Sequence, residues 1–430
     1  MRGPHLPAAT LTPEGCLISD RRQRSRRPSV VGVARHGRLR HTHPFVTVLK
    51  IFGATIVVIV VGVASIAAIT LNRVDTQITS VALVGEKPNA PPPDLSSIEG
   101  GFNMLVVGSD TRAGQGVYAG KDGGVLNDVT MLVHVSGDQT NAVAVSIPRD
   151  MIVPIPSCPK VDGSGSYHSM SAQAINNTLV YGGLPCTVLT VEKLTGLDIP
   201  FAGLVTFQGV IDMSTAVGGV PVCVNGPLKD NYSGINLPAA GTYTLSGFQA
   251  LAFLRSRHGV GDGSDLGRIS SQQVFLSSLV RTIKSNDTLT NVIKLYSLAQ
   301  AASSNMTLSN SLKNPTEMVS MALVLKKIPL DHITFVQYPS TTGVGGVYAG
   351  KVAPLVAPAT ALFAKIKADE PFTLDSGTGR GSVTNPSAPP AAAQPSSSPA
   401  AAPTVSTPGS PISGVLGQTA ADYTCTKVNK

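Results

Sequence analysis

Phe102-Asn103-Met104-Leu105-Val106-Val107-Gly108-Ser109-Asp110-Thr111-Arg112 is the run from which the rest of the chain can be read. A short apolar run that stops at a glycine reads as a buried strand, since it is too short for a core helix. Beyond that glycine the chain becomes charged: Asp110 and Arg112 stand where the strand would leave the core. Two similar runs occupy residues 129–135 and 142–147, separated by the turn Ser136-Gly137-Asp138-Gln139. They too carry charge at their ends, Asn127-Asp128 before the first and Pro148-Arg149-Asp150 after the second. Strand ends bearing charge are where α/β sheets build ligand sites, because the strands themselves are covered.

Outward from these strands the patterns alternate. Residues 169–181 read as a helix stopped by Gly182-Gly183, and 188–194 as another. Residues 201–216 mix strand and helix signals and are left undivided. A strand is expected at 220–224, a hairpin over 235–245, and a strand at 333–338. Helices are expected at 246–254, 266–283, 290–302, 316–326 and 358–368, with Pro358 in the first turn, where its missing N–H costs nothing. Strands and helices interleave without strict βαβ order. The expected fold class is therefore α/β, a mixed twisted sheet with helices on both faces, in one domain over residues 99–374.

The flanks have other compositions. Residues 1–50 hold ten basic and two acidic side chains, which accounts for the whole net charge of +8. The remaining chain is neutral, aromatics are 5% of residues and Trp is absent. Nucleic-acid binding by the domain therefore loses its support. Residues 51–71 are uncharged and apolar, roughly 31 Å as a helix at about 1.5 Å per residue, enough for a bilayer core. With the basic flank before it, this reads as a single-pass type II transmembrane helix that leaves the domain outside the cell membrane and the tail in the cytosol. Residues 72–98 form a Pro-rich spacer, 375–414 a Pro/Ala/Ser-rich disordered linker, and 415–430 a short tail that a disulfide could tie back. Cys158, Cys186, Cys223 and Cys425 all fall on the exported side, where three pairings are open; Cys158–Cys186 with Cys223–Cys425 is the preferred set.

The most charged part of the domain is Arg255-Ser256-Arg257-His258-Gly259-Val260-Gly261-Asp262-Gly263-Ser264-Asp265-Leu266-Gly267-Arg268, in a chain only 13% charged. Guanidinium groups on a Gly-rich loop that opens a helix suit phosphate, through bidentate donors and free helix N–H groups. Arg112, Arg149, Arg255, Arg257 and Arg268 supply cations, while Asp110 and Asp128 supply hard oxygens suited to Mg²⁺ (or Mn²⁺). Together they suggest a diphosphate site. Gln272 shares a helix face with Arg268, and Asp265 could orient Arg268 or bind ligand. No Walker loop or nucleophile elbow occurs, and no His/Cys spacing suggests zinc. His134, inside a strand, reads as a core histidine.

These clusters, in this order behind an N-terminal anchor, resemble the LytR-CpsA-Psr family of cell-envelope proteins over about residues 102–368. Gly108-Ser109-Asp110-x-Arg112, Ser146-Ile147-Pro148-Arg149-Asp150, Ile175-Asn176 with Gly182-Gly183, and Ala250-Leu251-Ala252-Phe253-x-Arg255-x-Arg257-His258 carry the resemblance. It implies a Mg-dependent phosphotransferase that moves a glycopolymer from a polyprenyl-diphosphate carrier to peptidoglycan, with a pyrophosphatase side activity. The membrane is a partner, and an arabinogalactan-type polymer is the preferred donor. It also implies Asp110 and Asp128 as metal-associated carboxylates, Arg149, Arg255, Arg257, Arg268 and Gln272 as diphosphate ligands, and an apolar channel for the lipid tail. Asp110 is the best-placed general base. Two positions depart from the family pattern: Ser271 stands where an arginine is usual, and Asn177-Thr178 replace small residues. The rival readings are a non-catalytic polyprenyl-phosphate-binding or regulatory envelope protein, and a hydrolase. Replacing Arg257 or Arg268 by alanine is expected to abolish cleavage with the fold intact.

Overall fold

The computed structural model describes residues 79–86, 101–110, 125–285, 298, 301–302, 304–313, 315–375, 377–385 and 411–429. The basic tail, the apolar run at 51–71, Arg112, most of the spacer and most of the helix expected at 290–302 lie outside the described residues. Among the described residues, no helix is long and apolar enough to cross a membrane.

The centre is an eight-stranded sheet. Its order is Thr79–Val81, Met306–Ser309, Phe201–Val205, Phe102–Ser109, Asn127–Val135, Ala142–Ile147, Ile333–Gln337 and Gly417–Thr419. Phe102–Ser109 pairs antiparallel with Asn127–Val135 and parallel with Phe201–Val205, so the sheet is mixed. Strand alternation divides the side chains between two layers. Leu105, Val107 and Leu132 face the layer of helix Thr178–Thr195 and helix Val356–Lys367. Met104, Val106, Met131 and Val133 face the opposite layer, with helix Pro315–Lys327 and the middle of helix Asp265–Ser285. Both faces are thus covered, in keeping with the expected fold class.

A second sheet of four strands, in the order Gly241–Leu245, Val220–Val224, Thr424–Thr426 and Ser382–Thr384, packs against helix Asp265–Ser285. Two disulfides close the chain, Cys158–Cys186 and Cys223–Cys425, the preferred pairing.

Three local expectations are corrected. Residues 169–181 hold a strand, Met170–Ala174, a short 3-10 turn, Ile175–Asn177, and only then the start of helix Thr178–Thr195. As expected, Gly182-Gly183 stop the first helical stretch: both leave helical geometry, and a second stretch follows them to Thr195. Gly183 has φ +67°, and a Cβ on Gly182 would lie 2.8 Å from Cys186 Cβ and from Pro159 O. Residues 235–245 are not one hairpin: Ile235–Leu237 pairs with Leu228–Asp230, whereas Gly241–Leu245 pairs with Val220–Val224. Polar, turn-rich composition concealed a partner upstream of each. Finally, the stretch read as a disordered linker from 375 contributes strand Ser382–Thr384, and the tail contributes Gly417–Thr419 and Thr424–Thr426. Three-residue strands need few apolar side chains when their partners supply the core.

Candidate functional site

At Gly108/Ser109 the pairing slips: Gly108 faces Val129 while Ser109 faces Asn127, leaving Asp128 as the extra residue of a β-bulge. A bulge re-aims the side chain it carries. Gly108 permits the approach, since a Cβ there would sit 3.1 Å from Val129 Cβ. Just beyond the bulge, Asp110 Oδ1 accepts from Leu126 N–H at 2.7 Å, and Asp110 N–H donates to Leu126 O at 3.1 Å. The two predicted carboxylates thus occupy the ends of adjacent, paired strands.

Arg149 follows strand Ala142–Ile147, next to Asn127–Val135 in the sheet, and its Nη1 pairs with Asp128 Oδ1. Its own N–H donates to Asp265 Oδ2 at 3.0 Å. Arg268 Nη2 donates to Asp128 O at 3.0 Å and lies 2.7 Å from Asp265 Oδ1. That last contact is close in distance, but its angle satisfies no hydrogen bond. Asp265 and Arg268 are 2% and 5% exposed, one turn apart at the start of helix Asp265–Ser285. Asp265, grouped with the ligand-binding residues from sequence, turns its carboxylate to the two arginines. Burial pulls the Arg149 guanidinium down, yet the charges of Asp128 and Asp265 outweigh it and hold its pKa above the ordinary value.

Two buried donors in this cluster, Nε of Arg149 and Nε of Arg268, have no protein hydrogen-bond partner. A buried unpaired donor costs about 1–3 kcal/mol, more when charged. Arg268 lines a cavity of about 340 Å³, and Arg149 stands next to it through its ion pair with the lining residue Asp128. Asp128, Arg255, Arg268, Gln272 and Ser109 line its polar part, and Val106, Met131, Val210, Met213, Phe275 and Leu279 belong to its apolar wall. Helices Phe207–Ala216, Gly247–Arg255 and Asp265–Ser285 close it over the sheet. Arg255 is steered by Phe207, whose ring centroid lies 4.8 Å from its guanidinium carbon. Gln272 Nε2 donates to Leu254 O at 2.9 Å, tying the two helices together.

Arg257 stands apart from the cavity lining. Its Nε donates to Gly263 O at 3.2 Å and its Nη1 lies 3.7 Å from Asp150 Oδ2. Lys351 approaches the same Asp150 at 3.6 Å. Gly261, with φ +60°, lets the loop fold back; a Cβ there would come 3.0 Å from Arg380 O and from the Cα atoms of Gly267 and Gly381. Ser271 packs on the far side of its helix, with its Oγ 3.1 Å from Thr426 Oγ1 of the second sheet. His134, read as a core histidine, bridges Asn103 Oδ1 through Nδ1 and Asp369 Oδ1 through Nε2, both at 2.9 Å.

Sequence reasoning gives Asp150 a place in a motif but no role, and it misses Asp230 and Phe207. Asp150 had a signal, its place beside Arg149 at a strand end. Phe207 and Asp230 carry none, because their partners are about 30 to 50 residues away in sequence.

The site is thus an arginine–carboxylate cluster at the strand ends of a mixed α/β sheet, beside an apolar cavity. The chain belongs to the LytR_cpsA_psr family, whose profile matches residues 70–360. It is 31% identical over 274 residues to the cell wall biosynthesis protein LcpA of Corynebacterium glutamicum, covering 58% of this chain and 52% of that one. With the polyisoprenyl-teichoic acid–peptidoglycan teichoic acid transferase TagT of Bacillus subtilis it shares 25% identity over 74% of this chain and 92% of TagT. The chain spans about half the length of the two Corynebacterium relatives it matches. A solved structure of a Streptococcus agalactiae protein superposes with TM-score 0.50 at 21% identity, covering 66% of this chain and 92% of that one, a likeness of fold.

Proposed function

We propose that the chain transfers a glycopolymer from a polyprenyl-diphosphate carrier to a hydroxyl of peptidoglycan, releasing polyprenyl phosphate. The observation that carries this reading is an apolar cavity whose polar lining includes Arg268, with its buried, unpartnered Nε–H, and Asp128, to which Arg149, with a second such Nε–H, is paired. An amphiphile with an anionic head and a long hydrocarbon tail is the ligand whose two ends match those two surfaces. The names of LcpA and TagT support the cell-wall context. An arabinogalactan-type polymer is the preferred donor, and the membrane anchor with the domain outside completes the reading.

In the proposed step an acceptor hydroxyl oxygen attacks the phosphorus that bears the glycan. The new P–O bond forms as the bridging P–O–P bond breaks, polyprenyl phosphate departs, and the hydroxyl proton goes to a base. Asp110 is the residue we assign to that proton. Arg149 and Arg268 would hold the diphosphate and stabilise the charge growing on the leaving phosphate, Arg255 and Gln272 would orient it at the cavity mouth, and Arg257 would meet it from the loop. Because these donors are fixed by Asp128, Asp265 and the helix ends, little reorganisation is needed during reaction.

Two carboxylates at neighbouring strand ends fit the donor set of Mg²⁺, which takes one or two carboxylates together with substrate phosphate oxygens. Asp110 and Asp128 would hold it, and when bound it would neutralise diphosphate charge that the arginines do not reach. Among the described residues no larger cluster of His, Cys, Asp and Glu assembles.

The test is the full chain, purified in detergent. Mass spectrometry of co-purified lipid should find a long-chain polyprenyl mono- or diphosphate, and added polyprenyl diphosphate should lose phosphate only with Mg²⁺. Ordinary phospholipid and no release would favour the binding-protein rival. Release without transfer to a glycan acceptor would favour the hydrolase.

A further inference from the structure

The loop that carries Arg257 has little regular structure, yet a single buried carboxylate holds its backbone. Asp230 ends strand Leu228–Asp230 and is 3% exposed. Its Oδ2 accepts from Ser256 Oγ at 2.9 Å and from the backbone N–H groups of Arg257, His258 and Gly259 at 3.0, 3.1 and 3.2 Å. Its Oδ1 accepts from the N–H groups of Tyr232 at 3.0 Å and Ser233 at 3.4 Å. All six partners are N–H or O–H groups rather than cations. Burial pushes the carboxyl up, but the bonds from Ser256, Tyr232, Gly259 and Arg257 outweigh it and leave its pKa below the ordinary range.

Three successive N–H groups converging on one point form a nest, the same device that binds phosphate in other loops. Here an internal carboxylate fills it, so those N–H groups are not available to a ligand. They serve instead to fix the backbone from which Arg257 projects. The other side of the loop is held too: Gly261 N–H donates to Lys427 O at 2.7 Å, Asn429 N–H to Gly259 O at 2.9 Å, and Asn429 Nδ2 to His258 O at 3.0 Å.

We infer that Asp230 is a positioning residue for the diphosphate site, setting where the Arg257 guanidinium stands by holding residues 256–259 from below. This inference rests on the proposed reading of that site as a diphosphate clamp. Asp230→Asn places an NH₂ group among donors, so it must break part of the nest while keeping the volume.

The experiment uses the full chain in detergent and its variants Asp230→Asn, Asp230→Glu, Ser256→Ala, Arg257→Ala and the Asp230→Asn/Arg257→Ala pair. Amide exchange of residues 256–259 and affinity for geranylgeranyl diphosphate with Mg²⁺ are measured. Asp230→Asn should speed exchange at 257–259 while the central sheet stays protected, and weaken binding about tenfold, the scale of a charge-assisted contact. Arg257→Ala should cost about as much in the parent but little more in the Asp230→Asn background, because coupled residues are non-additive. If Asp230→Asn does not fold, Ser256→Ala, which removes one of the six donors, should show the same pattern in smaller measure. Unchanged exchange at 257–259, or an equal loss from Arg257→Ala in both backgrounds, overturns the inference. If the unaltered chain fails to bind the diphosphate, the site reading itself falls, an outcome separate from a parent that binds and a loop that is indifferent to Asp230.

Discussion

Arg257 lies on the loop and Arg268 on the first turn of the helix that follows it, but burial separates what their loss would do. Arg268, 5% exposed, shares Asp265 with Arg149, and its removal leaves a carboxylate 2% exposed without its nearest cation. Breaking one partner of a buried pair costs about 3–5 kcal/mol. Arg268→Ala should therefore lower the denaturation midpoint as well as abolish phosphate release, which revises the sequence-based expectation of an intact fold. Arg257, 35% exposed with a 3.7 Å pair to Asp150, contributes at most about 1 kcal/mol through that pair. Arg257→Ala should melt near the parent temperature while losing at least about tenfold in cleavage; calorimetry beside a phosphate-release assay separates the two. His134 gives a pH prediction at the same scale. Burial lowers its pKa despite the bond and charge of Asp369, so its folded pKa lies below 6.5. The neutral form is then favoured by the fold, its contribution is fully present above 6.5, and it is lost as pH falls through the folded value. His134→Gln should flatten the drop in stability between neutral pH and about pH 5 in a urea series, in the window set by the usual histidine pKa.

Elements meet at the site because strand ends and helix ends converge there. The bulge at Gly108/Ser109 turns Asp128 toward Arg149, and the first turn of helix Asp265–Ser285 brings Asp265 between the arginines. Across that helix the second sheet is completed by residues far along the chain. Cys223–Cys425 joins its neighbouring strands over a separation of 202 residues, against 28 for Cys158–Cys186. Chain-entropy arguments give up to about 5 kcal/mol for so long a loop and roughly 3.5 for the short one. The Cys223→Ser/Cys425→Ser pair should thus lower thermal stability more than the Cys158→Ser/Cys186→Ser pair. It should also raise amide exchange at Gly261, whose N–H donates to Lys427 O.

For the whole molecule, the cavity and its charged mouth are one construction, since three helices close over the sheet face that carries Val106 and Met131. Val210→Trp, in the apolar wall, should weaken binding of long-chain polyprenyl diphosphates yet leave a short-chain dimethylallyl diphosphate little affected; isothermal titration of the two ligands measures the difference. Local information determined a good part of this. The apolar runs gave the three adjacent strands and the two helices flanking the arginine loop. Charge at their ends picked out Asp110, Asp128, Arg149, Arg255, Arg257 and Arg268, because burial of a strand forces its polar residues to its ends. What sequence could not decide was which distant groups face each other. Pairing of 241–245 with 220–224, the edge strands beyond 375 and the hold of Asp230 on residues 256–259 depend on contacts across tens to hundreds of residues. No local pattern records such contacts: a hydrogen bond or an ion pair depends on ångström distances in space, and only packing of the whole chain sets those distances.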